Sequence, residues 1–148
     1  MIKLVKPLFT VLMLGAVVFI SSCDKDDEPK PKTKTELISA HPWKITKFKV
    51  TQGTASFEDA PEACQGDDTE TFEADGDYKF DEGATKCDPD DPQSGTGTWT
   101  FNSGETVLII SGGGLSLNYT ILELTETTMR LKWDFITNET VEVTYEPD

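Results

Sequence analysis

The chain has 148 residues, which bounds it to one ordinary domain. Its 27 acids against 13 bases give a net charge of −14, so a nucleic-acid partner is excluded by phosphate repulsion. A single histidine, His41, gives little basis for histidine-centred catalysis or a histidine-ligated metal.

Residues 1–22 have the pattern of a signal segment and are set apart from the fold. Lys3 and Lys6 make a basic start, residues 8–20 are apolar except for Thr10, and Ser21 and Ser22 precede Cys23. The apolar run is short of the roughly 20 residues a bilayer span needs. Ile20-Ser21-Ser22-Cys23 resembles the bacterial lipobox, an aliphatic residue, two small residues and a cysteine. The resemblance implies cleavage before Cys23, a diacylglycerol on its thiol and an acyl chain on its amine. Several chains anchor a protein stably where one does not. The alternative is an ordinary signal with a chance cysteine. Residues 24–35, DKDDEPKPKTKT, contain two prolines and no hydrophobe, so residues 23–36 are expected to form a lipidated, extended tether ahead of a domain at 37–148. Lys25-Asp26-Asp27 resembles the Lys-acid-acid export signal of some Gram-negative lipoproteins. It implies an outer-membrane anchor facing the cell surface, with the periplasmic face as the alternative.

With Cys23 assigned to lipid, Cys64 and Cys87 remain as a pair in an oxidising compartment. A disulfide spanning 23 residues is expected. A two-thiolate metal site would lack histidine partners.

From Leu37 onward the pattern is that of strands. A short helical turn is expected at 37–41, before Pro42. Alternating apolar and polar residues then predict strands at 43–51, 69–74, 77–81, 96–101, 106–111, 115–124, 129–136 and 141–145. Asp75-Gly76 is a strong hairpin turn. Met129, Leu131, Trp133 and Phe135 face one way and Arg130, Lys132 and Asp134 the other, as in a sheet with one wet face. Phase changes at Lys47-Phe48 and Ile121-Leu122 predict bulges. Sequential hairpins without a crossover helix predict an all-β, eight-stranded antiparallel up-and-down β-barrel, closed so that no edge is exposed. The alternative is a β-sandwich.

The order of several pieces resembles the lipocalin-like domain of bacterial lipoproteins, over about residues 37–145. The pieces are Pro42-Trp43-Lys44-Ile45, Thr71-Phe72-Glu73-Ala74-Asp75-Gly76-Asp77-Tyr78, Gly97-Thr98-Trp99, Tyr119-Thr120-Ile121-Leu122-Glu123-Leu124 and Met129-Arg130-Leu131. The Gly-x-Trp of true lipocalins is met only in part, since His41 stands in the glycine position. The resemblance implies an eight-stranded barrel with a capacity for ligand binding.

No catalytic triad, metal motif or phosphate loop is present, so neither enzymatic activity nor a cofactor is expected. Gly112-Gly113-Gly114 has no following helix to hold phosphate and is a turn. Asn118-Tyr119-Thr120 and Asn138-Glu139-Thr140 match glycosylation sequons, a eukaryotic modification that does not apply to a bacterial lipoprotein. Asp88, Asp90 and Asp91 form a weak calcium candidate without EF-hand spacing. The inward residues are expected to include Ile45, Leu131, Val143 and the rings of Trp43, Phe72, Tyr78, Phe80, Trp99, Phe101, Tyr119, Trp133, Phe135 and Tyr145. These ten rings are the candidate ligand contacts, and they are core first. Two functions are open: a barrel holding a small apolar or amphipathic ligand, or a side-chain-filled barrel acting as a protein-interaction or envelope-accessory module.

Overall fold

A computed structural model describes residues 30–136 and 138–148, without the side chains of Phe135 and Ile136. The signal segment, Cys23 and Lys25-Asp26-Asp27 lie outside the described residues. Residues 31–148 form one unit. It comprises helix α1 (Lys34–Ile38) and strands β1 (Trp43–Gln52), β2 (Ala55–Asp59), β3 (Thr69–Phe72), β4 (Asp77–Asp81), β5 (Ser94–Phe101), β6 (Val107–Gly112), β7 (Leu115–Leu124), β8 (Met129–Ile136) and β9 (Glu139–Pro147).

Every pairing is antiparallel, in the order β2-β1-β3-β4-β5-β6-β7-β8-β9, and β1 closes the ring on β9 from Trp43↔Pro147 to Gln52↔Glu139. Eight strands thus form the expected barrel. The ninth, β2, was not expected. Its sequence, ASFED, is short and wholly exposed, so it lacks the buried alternation that marks a strand. It pairs with the far half of β1, Phe48↔Asp59 to Gln52↔Ala55, while β3 meets β1 only at Trp43↔Glu70.

The tether and helix readings need correction. Thr33 caps α1, accepting from the Glu36 amide at 3.2 Å, and the Glu36 carboxylate accepts from the Thr33 amide at 2.7 Å. This Thr-x-x-Glu capping box starts the helix inside the expected tether, and the helix ends at Ile38, overlapping only the first two residues of the turn expected at 37–41. Ile38 is buried in the barrel core, so α1 plugs one end. Lys34 Nζ donates to the Glu105 carbonyl in the β5–β6 turn, and Lys32 pairs with Glu126 in the β7–β8 turn at 2.9 Å.

Bulges occur close to both phase changes, between Ile45 and Lys47 and between Ile121 and Glu123, with a third between Asp134 and Ile136. The second turns Leu122 outward. Gly76 takes φ +99° in the β3–β4 turn, which L residues resist. Gly97 serves a different need: a Cβ there would lie 2.3 Å from the Ser111 carbonyl oxygen, so only glycine lets β5 and β6 approach so closely.

The core fills the plugged half of the barrel. Trp43, Phe72, Leu108, Met129, Leu131 and Val143 are at most 1% exposed, and Trp99 and Tyr145 join them. Trp43 Nε1 donates to the Ile38 carbonyl at 2.8 Å, tying the plug to β1, and Trp99 Nε1 donates to the Glu73 carbonyl at 2.8 Å. The basic side chains of β1, β4 and β8 lie on the outer face, and among the described residues all but Lys132 form ion pairs there, such as Lys49–Glu142 (3.5 Å) and Arg130–Glu142 (3.0 Å).

Candidate functional site

The opposite half of the barrel is hollow. β3 reads Thr69-Glu70-Thr71-Phe72, and the period of two places Glu70 on the inward face with Phe72. Its carboxylate Oε1 accepts from Tyr145 Oη at 3.0 Å, and the Tyr78 hydroxyl also donates to it. β7 brings a third phenol, Tyr119, close enough for its charge to be felt.

Burial dominates the electrostatics of this cluster. It pushes the Glu70 pKa up to about 7, against the pull of the Tyr145 and Tyr78 hydrogen bonds; the negative charge of Asp68 adds to the rise. Burial and the Glu70 charge push Tyr119 up to about 12 and hold Tyr145 and Tyr78 well above the usual phenol range. The phenols therefore stay protonated, and the carboxyl titrates near neutrality.

Above Glu70 lies a cup of about 350 Å³, walled by Tyr78, Phe80, Ile110, Leu117 and Tyr119. Gly95 makes room for it. It sits opposite Phe80, and a Cβ there would meet nothing within 4 Å. The rim is apolar: Leu115 is 72% and Leu117 52% exposed. A second hollow of about 650 Å³ shares Leu117 and Tyr119 with the cup and adds Trp133. It lies where β7 and β8 separate, because their pairing stops at Thr120↔Lys132 and leaves 115–119 and 133–136 apart. Tyr119 and Trp133 meet edge to face at 5.4 Å beside this cleft. A further hollow of about 490 Å³ lies outside the plugged end, against Asp75, Asn102 and Glu105, away from these groups.

The ten rings expected as ligand contacts therefore divide. Tyr78, Phe80 and Tyr119 line the cup, and Trp133 lines the cleft. Trp43, Phe72, Trp99 and Tyr145 are packed in the core, with Phe101 against Trp99 at 5.2 Å. The Phe135 side chain lies outside the described residues. Glu70 was missed because charge was taken as a mark of the outer face. The same alternation that places Phe72 inward carries Glu70 with it.

Cys64 and Cys87 are bonded, Cα to Cα 5.0 Å apart. The bond joins the β2–β3 connection to the β4–β5 loop, and Asp67 Oδ2 adds bonds from the amides of Ala84 (2.7 Å) and Thr85 (2.9 Å). Of the calcium candidates, Asp88 spends Oδ1 on the Asp90 amide at 2.9 Å, and Lys86 Nζ already donates to the carbonyls of Pro89 and Asp91. Among the described residues the donors that approach at metal-binding distance are Glu62, Cys64 and Cys87, and the two sulfurs are bonded to each other.

The Glu70 environment has a stability signature. Its folded pKa is raised above the ordinary 4.5, so the folded state holds the proton longer than the unfolded chain. The stabilisation is complete below pH 4.5 and is lost as pH rises to about 7. Water in the cup screens the charge, so the expected loss is about 2 kcal/mol. Urea unfolding at pH 5 and pH 8 measures it, and Glu70→Gln should flatten the difference. Parallel pH dependences in wild type and variant would remove Glu70 as its source.

A model of the lipocalin-like domain family matches residues 40–131. Among solved structures, a lipocalin-like protein from Bacteroides uniformis superposes with a TM-score of 0.50 at 8% identity, over 73% of this chain and 96% of that one. This is a likeness of fold. No curated protein matches the chain.

Proposed function

The chain belongs to the lipocalin-like domain family, and from that premise we propose that it is a non-enzymatic binding protein holding a small amphipathic molecule in the cup. The observation that carries the reading is the cup itself. A glycine at position 95, an apolar rim and one inward carboxyl combine in a space of about 350 Å³, within the range of small-ligand sites of roughly 300–1,000 Å³. A barrel filled for stability alone would place a side chain where Gly95 leaves space. The proposal includes an acylated Cys23 anchoring the domain to the outer membrane with the cup facing the cell surface. Its support is the lipobox-like Ile20-Ser21-Ser22-Cys23 and the Lys25-Asp26-Asp27 that follows.

Native mass spectrometry of the full chain, extracted from its host's membranes, tests both parts. The expected spectrum carries acyl mass on a chain beginning at Cys23, plus a non-covalent small molecule. Gly95→Leu, which adds apolar bulk at a position where a Cβ would meet nothing within 4 Å, should keep the acyl mass and lose the small molecule. A chain without acyl mass would sink the anchor. A small molecule retained in full by Gly95→Leu would place binding outside the cup.

A further inference from the structure

Resting on the reading of the cup as a ligand site, we propose that its ligand is a small amphipathic amine. The ammonium group meets the Glu70 carboxylate between Tyr78 and Tyr119, and the apolar part lies against Ile110, Leu117 and the rim.

The argument is one of charge balance inside the barrel. Glu70 is an inward acid, and among the described residues no positive side chain pairs with it: the buried core there is entirely apolar or aromatic, and Lys47, Lys49, Lys79 and Arg130 are engaged in ion pairs on the outer face. Its two phenol donors supply hydrogen bonds without charge. An inward carboxylate without a counter-charge costs free energy that a cation would recover. A fatty acid would bring a second negative charge to the same place, and a neutral apolar molecule would displace the water that screens Glu70 and leave the charge as it is. Of these three classes of ligand, only an amine brings the missing positive charge. The walls suit it as well, since phenol rings attract cations to their faces. The chain's net charge of −14 further favours a cation over an anion on approach.

Calorimetric titration with octylammonium, octanol and octyl sulfate, all below their aggregation concentrations at pH 8, separates these cases. The three share a tail and differ in head charge. Octylammonium is expected to bind about tenfold tighter than octanol, with octyl sulfate weakest. Glu70→Gln should bring octylammonium down to the level of octanol and leave octanol unchanged. Should that variant not fold, wild type at pH 5 supplies the same test. Of the groups facing Glu70, Tyr78, Tyr119 and Tyr145 do not titrate there, and Asp68 acts only at longer range, so the octylammonium affinity should fall about tenfold. Octanol or octyl sulfate binding as tightly as octylammonium would overturn the amine proposal, as would a preference that survives both Glu70→Gln and pH 5. Failure of the cup reading looks different: no octyl probe binds wild type, or all three bind Gly95→Leu as they bind wild type.

Discussion

Replacing Trp43 by alanine is expected to destabilise the domain by about 4 kcal/mol, the scale of removing a large aromatic from a close-packed core. The indole is fully buried and meets the His41 ring at a centroid distance of 4.3 Å. It also carries the hydrogen bond that fastens the plug, Nε1 to the Ile38 carbonyl at 2.8 Å. Its backbone sits at the one point where β1, β3 and β9 all meet, opposite Glu70 and Pro147. Truncation therefore opens a cavity and leaves the Ile38 carbonyl without its donor. Trp43→Phe should cost about half as much, because much of the volume stays while the hydrogen bond goes. Urea unfolding of both variants checks the order. A loss below about 1 kcal/mol for Trp43→Ala would show that α1 and the core do not depend on the indole.

What the sequence made legible follows from what buries a repeating pattern. β7 and β8 were readable to the residue because each alternates, β7 with a single change of phase at its bulge. β4 and the Asp75-Gly76 turn were readable because turn chemistry is local. β2 was hidden because its five residues are all exposed and its place is set by pairing with β1, a contact without a sequence period. α1 was hidden by composition: Lys32, Lys34 and two prolines suggest an unfolded tether, while the Thr33–Glu36 capping box, four residues long, marks the start of a helix. The cup was half visible. Its rings were named, but which rings pack and which line a space depends on where β5 lacks side chains and where β7 leaves β8. Gly95 and the end of pairing at Thr120↔Lys132 decide that, and both are facts of tertiary geometry. Glu70 shows the remaining gap: a polar residue in an inward register is discounted by composition, yet it is the group that gives the hollow its chemistry.

Removing the Cys64–Cys87 bond is expected to lower stability by about 3 kcal/mol, the chain-entropy value for a loop of this length. Cys64→Ala in oxidising buffer should show it, and reduction should bring wild type down to the variant. Electrostatics adds a component that chain entropy lacks. The bond gathers Asp67, Asp68, Asp81 and Glu82 beside the joined loops, and Asp68 is held above its ordinary pKa by burial first and then by the charges of Glu82, Asp67 and Asp81. Once the covalent tie is gone, these like charges favour separation of the β2–β3 connection from the β4–β5 loop, opposed by the Asp67 bonds to Ala84 and Thr85. That part is screened by salt and the entropic part is not. The deficit of Cys64→Ala should therefore shrink between low salt and about 0.5 M sodium chloride without vanishing, because screening lengths fall to a few Å over that range. A deficit independent of salt would assign the whole effect to loop closure. An oxidised wild type no more stable than Cys64→Ala would show that the Asp67 hydrogen bonds alone hold the two loops together.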